Sequence, residues 1–291
     1  MTHLTTMSIA AVLLGLVAYG AAAVGGDVSI VAHRGASRDA PENTIAAFEL
    51  AWRQGADAIE GDFRLTQDGR IVCIHDSTTE RTAGANLVVA ESTLAELRKL
   101  DVGRWRGAEW AGQRIPTLAE VLAVVPTGKR ILIEIKCGPE IVPVLKRVLD
   151  SSRLKRDQTI LISFDAKVIA VAKKQLPTCK AFWLTGFRKD KKTGSWKPSP
   201  QKVLATLKEI RADGLDCAAV AGAVDRSFMS ELGARAVELH VWTVDDLKTA
   251  LHFQELGTRS ITTNRPGWLR EQMVRRSSQS ENPGESGAGI R

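Results

Sequence analysis

Seven polar residues lie where the surrounding sequence is otherwise apolar: His33 and Arg34, Glu60 and Asp62, His75, and Glu134 and Lys136. Glu60 and Asp62 are two positions apart, as are Glu134 and Lys136. In an extended chain each pair projects from one face, with its members roughly 7 Å apart along it. Three carboxylates brought to one point repel one another, and a hard divalent cation relieves that repulsion. All-oxygen ligation suits Mg²⁺, Ca²⁺ or Mn²⁺ rather than zinc. Two imidazoles beside such a cation form a general acid–base pair for displacement at phosphorus or at an acyl carbon. Arg34 and Lys136 would then bind phosphate oxygens, which favours phosphorus. Each residue also has a plain structural reading: a surface His–Arg pair, a solvated strand end, a Glu134–Lys136 ion pair inside a barrel. Their joint occurrence at the ends of apolar strands favours function.

The elements that must position these residues are short runs rich in Ile, Val and Leu, at 28–33, 57–63, 130–136, 159–164, 180–185, 213–220, 237–244 and 259–264. Between them lie stretches with apolar residues at three- and four-residue spacing, predicting helices. The first covers 44–55, with Asn43 as its N-cap and Gly55 as its stop. Alternating strand and helix predicts a parallel sheet with right-handed crossovers. Eight such units predict a single α/β domain, a (β/α)8 TIM barrel over residues 27–275. The polar residues would converge on the barrel mouth, with Gly35 permitting close backbone approach there. No GxGxxG or GxxxxGK[ST] stretch points to a nucleotide fold. An insertion after the second strand runs from Leu65 to Pro116, its Thr-Gln-Asp-Gly turn leading into IVCIHD at 71–76. Its length points to a functional loop.

Lys and Arg number 40 against 33 Asp and Glu, a net charge of +7 that favours anionic partners. Aromatic residues make up 5% and are not interleaved with the basic ones, which argues against nucleic acid as a partner. Cys73, Cys137, Cys179 and Cys217 form no CxxC pair, so inert thiols are expected rather than a zinc site. Residues 1–26 carry an uncharged apolar run ending in Ala21-Ala22-Ala23. They read as a secretory signal peptide or a membrane anchor, placing the domain in a secreted or periplasmic setting. Residues 276–291 are polar and rich in Gly, Ser and Glu, and are expected to be disordered. Arg188, Lys189, Lys191, Lys192 and Lys197 crowd a strand-to-helix loop, as a solvated loop or a contact for an anionic membrane surface.

The HRG at 33–35, PENT at 41–44, ExD at 60–62, DG at 68–69, HD at 75–76, LIEIK at 132–136 and late VWTV at 241–244 together resemble the glycerophosphodiester phosphodiesterase family, from about Val28 to about Trp268. The resemblance implies a TIM-barrel hydrolase that cleaves glycerophosphodiesters to glycerol 3-phosphate and an alcohol with one divalent cation, Mg²⁺ or Ca²⁺. By position it places the catalytic histidines on His33 and His75 and the metal carboxylates on Glu60, Asp62 and Glu134. Arg34 and Lys136 match its phosphate-contacting residues, and Trp242 a position near the site mouth. Two departures stand out: Asn264-Arg265-Pro266 where the family often has Asp-Arg-Pro, and a segment at 83–89 that lacks an expected second glycine. Both are expected to leave the acid–base and metal residues untouched. A lysophospholipase D or sphingomyelinase D activity on lipid substrates could use the same parts. A catalytically dead phosphodiester-binding protein would have lost one of them.

Overall fold

A computed structural model describes residues 28–281. In chain order the strands are β1 (Ser29–Ala32), β2 (Ala58–Leu65), β3 (Ile71–Cys73), β4 (Arg130–Ile135), β5 (Thr159–Ser163), β6 (Lys180–Thr185), β7 (Arg188–Lys189), β8 (Trp196–Lys197), β9 (Gly214–Ala218), β10 (Glu238–Trp242) and β11 (Ser260–Thr263). The parallel strands run β1-β2-β4-β5-β6-β9-β10-β11, and β1 pairs with both β2 and β11, so the sheet closes into the eight-stranded barrel. β3 extends β2 as an antiparallel partner, as the Thr-Gln-Asp-Gly turn predicts.

Strand alternation decides which residues reach the barrel interior. On β2, Ile59 and Phe63 join the large core under the helices, whereas Ala58 packs inside the barrel with Val31, Leu132 and Phe182. Glu60 and Asp62 share the phase of Ala58 and so face inward. On β4, Ile131, Ile133 and Ile135 face the helices, while Leu132 faces inward and Glu134 follows it. Asp62 and Glu134 are register partners across the β2–β4 pair, which brings their side chains together.

The helices are α1 (Ile45–Arg53), α2 (Glu80–Ala83), α3 (Leu94–Leu97), α4 (Leu118–Ala123), α5 (Val142–Asp150), α6 (Ala166–Gln175), α7 (Pro200–Ile210), α8 (Arg226–Gly233), α9 (Leu247–Leu256) and α10 (Pro266–Glu281). Their starts are capped locally: Thr117 and Glu120 form a capping box at α4, and Asp165, Ser199, Asp225 and Asp246 cap α6 to α9. The N-cap of α1 is Thr44 rather than Asn43, because Thr44 Oγ1 accepts from the Ala47 amide at 3.2 Å while Asn43 turns toward the barrel. α10 carries the chain to Glu281, past the point at which the polar tail was expected to begin. The apolar leader and residues 282–291 lie outside the described residues. Among the described residues no helix is long and apolar enough to cross a membrane.

Two sequence expectations acquire different physical reasons. Gly35 has φ +80°, and a Cβ there would lie 2.6 Å from the Ala47 carbonyl carbon, so its close approach is to the α1 backbone. Gly35→Ala therefore combines a left-handed backbone with a clash; it is expected to cost about 2–5 kcal/mol and to lower Tm by roughly 10 °C in a thermal melt. The basic loop after β6 is a β7–β8 hairpin, with Lys197 Nζ 2.6 Å from Asp190 and Lys189 5.6 Å above the Trp196 ring. All four cysteines are free, and burial pushes the Cys73 and Cys217 thiols well up, which suits inert hydrophobic fillers.

Candidate active site

Glu60, Asp62 and Glu134 each present a carboxylate oxygen within 4.8 Å of the others at the C-terminal end of the barrel strands. All three residues are buried. Glu60 Oε1 and Asp62 Oδ1 have no hydrogen-bond partner, an expensive state for buried carboxylate oxygens. Burial and the neighbouring carboxylates push Glu60 well above the usual carboxylate range. Burial and Asp62 raise Glu134 to about 7, even with the Lys136 ammonium 2.6 Å from its Oε1. Mutually repelling carboxylates, with Glu60 Oε1 and Asp62 Oδ1 buried and without a hydrogen bond, fit a hard divalent cation, which would add to the positive charge of Arg34 and Lys136.

The cradle is anchored from β1 and the loop after it. The Arg34 amide donates to Glu60 Oε2 at 2.9 Å, and Arg34 Nε lies 3.2 Å from Asp62 Oδ2. Asn43 donates through Nδ2 to Asp62 Oδ2 at 2.8 Å and accepts the Asp62 amide at 3.1 Å. Arg34 and Asn43 both occupy the left-handed region, φ 56° and 58°, held there by these contacts. Lys136 Nζ lies 3.6 Å from Asp62 Oδ1, so Arg34 and Lys136 place two cations beside the carboxylates. The Glu134–Lys136 ion pair anticipated as the structural reading is present, within the site itself.

The two histidines have different partners. His33 Nδ1 lies 2.7 Å from Asn264 Oδ1. The amide orientation follows from Asp245, whose carboxylate accepts from Asn264 Nδ2 at 2.6 Å. Asn264 Oδ1 therefore accepts from His33 Nδ1–H, leaving Nε2 with a lone pair. Burial, reinforced by the Arg34 charge, lowers the His33 pKa below its ordinary value. His75 Nδ1 instead lies 2.6 Å from Asp76 Oδ1, a carboxylate. Although burial opposes it, hydrogen bonds from Arg81 and His75 hold Asp76 at about 2. The His75 backbone is pinned by the Arg64 guanidinium, which donates to the His75 carbonyl at 2.9 Å and to the Lys136 carbonyl at 3.1 Å. Trp242 reaches the mouth indirectly. Its ring lies 5.5 Å edge-to-face from Phe164, whose ring is 5.7 Å from Lys136 Nζ.

Every site residue anticipated from the sequence lies at this end of the barrel, but several supporting residues were not anticipated. The expectation that the Asn264 departure leaves the acid–base pair untouched is incorrect, because Asn264 is the direct partner of His33. Asn43 orients Asp62 rather than capping a helix. Asp216 is buried on β9, and burial together with Glu134 raises it to about 8. Its signal was visible as an acid in the middle of the apolar run 213–220. A polar-rimmed cavity of about 790 Å³ opens at the opposite end of the barrel, among the strand starts Ser29, Ala58, Arg130 and Lys180, remote from the carboxylates.

A closed parallel barrel with a carboxylate cluster, two histidines and two cationic side chains at its C-terminal mouth has the layout of a barrel enzyme. The sequence profile of the glycerophosphoryl diester phosphodiesterase family matches residues 33–268, and the chain belongs to that family. YhdW of Bacillus subtilis strain 168 is 33% identical over 246 residues, covering 82% of this chain and 96% of its own. A glycerophosphodiester phosphodiesterase of Caldanaerobacter subterraneus subsp. tengcongensis is 41% identical over 155 residues, 52% of this chain and 64% of that protein. A phosphodiesterase of Oleispira antarctica, solved with its product sn-glycerol-3-phosphate, superposes with a TM-score of 0.74 at 26% identity, covering 84% of this chain and 96% of that one.

Proposed function

We propose that the site hydrolyses small glycerophosphodiesters to glycerol 3-phosphate and an alcohol, by metal-assisted displacement at phosphorus with His33 as base and His75 as acid. The observation that carries this reading is the buried carboxylate cluster with partnerless oxygens, set among two histidines, Arg34 and Lys136. Glu60, Asp62 and Glu134 would hold a divalent cation, Mg²⁺ or Ca²⁺ by the all-oxygen donor set, which would supply positive charge beside the phosphate oxygens. Arg34 and Lys136 bind the non-bridging oxygens and orient phosphorus. His33 Nε2 takes the proton of the attacking oxygen while Asn264 keeps the Nδ1–H in place; attack by water gives glycerol 3-phosphate directly, and attack by the substrate's own glycerol hydroxyl gives a cyclic phosphodiester that water then opens to it. His75 gives a proton from Nε2 to the departing alcohol oxygen, and the carboxylate of Asp76 offsets the charge carried before that transfer. Trp242 and Phe164 form an apolar wall at the mouth, against which the glycerol or alcohol carbons can lie.

Hydrolysis of glycerophosphocholine and lysophosphatidylcholine, run side by side, tests the substrate class. The expected result is a kcat/KM at least tenfold higher on glycerophosphocholine. Higher activity on lysophosphatidylcholine, falling as salt screens the basic hairpin at 188–197, would instead favour a lipid substrate presented on an anionic surface.

The carboxylates also predict a pH-dependent response to cation. A carboxyl group whose folded pKa is raised favours the folded state while protonated. The cation-free protein should therefore lose stability as pH rises from about 4.5 through about 7, the value to which Glu134 is raised. Cation binding requires the ionised form, so it should tighten over the same interval. Differential scanning fluorimetry with a hundredfold excess of Mg²⁺ or Ca²⁺ over Kd should show a Tm increase of roughly 5 °C at pH 8 and less at pH 6.

A further inference from the structure

The insertion after β3 returns an arginine to the site. Arg81, on α2, grips Glu42 with both guanidinium branches: NH1 donates to Oε2 at 2.9 Å and NH2 to Oε1 at 2.8 Å. Its Nε donates to Asp76 Oδ2 at 2.6 Å. The other oxygen of Asp76 lies 2.6 Å from His75 Nδ1, and Glu42 Oε1 also accepts from Arg34 NH1 at 2.9 Å. The result is a continuous alternation of charge from Asp62 through Arg34, Glu42, Arg81 and Asp76 to His75. Both oxygens of Asp76 and both of Glu42 are engaged, so neither carboxylate can rotate without breaking a bond in this chain.

We propose that Arg81 is a positioning residue for the proton donor. By clamping Glu42 and Asp76 together, it fixes the carboxylate behind His75 and so aims His75 Nε2 at the departing oxygen. The proposal rests on the reading of His75 as the acid. Arg81 contacts Glu42 and Asp76 rather than the three clustered carboxylates, and it moves no proton itself. Its side chain is 44% exposed, and without it Glu42, 13% exposed, keeps its ion pair with Arg34, so its effect should appear in turnover more than in melting. Lysine cannot reproduce the arrangement, because a single ammonium cannot present the planar fork that joins the two carboxylates.

The test compares two diesters with different leaving groups, glycerophosphocholine and the p-nitrophenyl diester of glycerol phosphate. Departing p-nitrophenolate needs no proton, so only the choline ester depends on the acid. His75→Ala should lower kcat on glycerophosphocholine by about 10²–10⁴-fold and on the nitrophenyl ester by no more than about tenfold. Arg81→Ala should show the same bias at smaller scale, roughly 10–100-fold against less than about threefold, with KM and Tm nearly unchanged. Added guanidinium should restore part of the lost turnover, and R81K should fall between wild type and R81A. Equal losses on both esters in R81A, no loss at all, or no recovery with guanidinium would overturn the positioning role. If His75→Ala itself shows no leaving-group bias, the reading of His75 as acid fails and the Arg81 proposal fails with it.

Discussion

Replacing His33 with alanine should lower kcat on glycerophosphocholine by about 10²–10⁴-fold, the usual contribution of the general-base role proposed for it. KM should change little, because the phosphate contacts proposed are Arg34 and Lys136 rather than the imidazole. The acid limb of the wild-type pH profile should belong to the same residue. Burial and the Arg34 charge hold His33 below its ordinary 6.5, so it stays neutral and basic as pH falls past that value. Activity should be lost only at lower pH, when the ring becomes protonated, and the limb should vanish in His33→Ala. Steady-state kinetics from pH 5 to pH 8, with melting curves as a control for folding, decide the matter. A variant with wild-type turnover would remove His33 from the chemistry.

Glu60→Gln should produce an effect of similar size with an unusual stability signature. Glu60 accepts the Arg34 amide through Oε2, a bond a glutamine oxygen can keep. What disappears is one negative charge from the carboxylate cluster, and with it much of the cation affinity. Turnover should fall on the order of 10³-fold, equivalent to about 4 kcal/mol of transition-state stabilisation. The chelated variant should nevertheless melt no lower than the chelated wild type, because burial, Asp62 and Glu134 all penalise an ionised Glu60. The Tm increase on adding Mg²⁺ or Ca²⁺ should shrink or disappear. Lost activity with an intact cation response would place the ligands elsewhere.

The residues legible in the sequence share one property. His33, Glu60, Asp62 and Glu134 interrupt strands that are otherwise apolar, at positions whose phase points inward near the strand end. Strand alternation alone therefore predicts their convergence, and eight strand–helix units supply the closed barrel that completes it. The contacts that escaped notice run across distances that periodicity does not encode. Asn264 meets His33 across 231 positions, and Arg81 meets Glu42 across 39. Both lie outside the strands, where the backbone path is set by local turns rather than a repeating pattern. Asn43 was misassigned because asparagine before a helix is a good cap; here the adjacent Thr44 takes that role and frees Asn43 to hold Asp62. The basic hairpin at β7 and β8 was read as a loop because its two-residue strands are too short to show alternation.

The His33 and Asn264 pair shows why such departures matter. A neutral amide behind the ring keeps the lone pair on Nε2 and adds no charge of its own, whereas a carboxylate stands behind His75. The two imidazoles thus differ in what stands behind them, and the proposed base and acid roles rest on that difference.

The central claim is most directly tested by following glycerophosphocholine by ³¹P NMR in the presence of the purified protein, first with chelator and then with Mg²⁺ or Ca²⁺ restored. The diester resonance should persist under chelation and convert, once cation is present, to that of glycerol 3-phosphate. Conversion that is indifferent to chelator, or the appearance of phosphocholine in place of glycerol 3-phosphate, would contradict it.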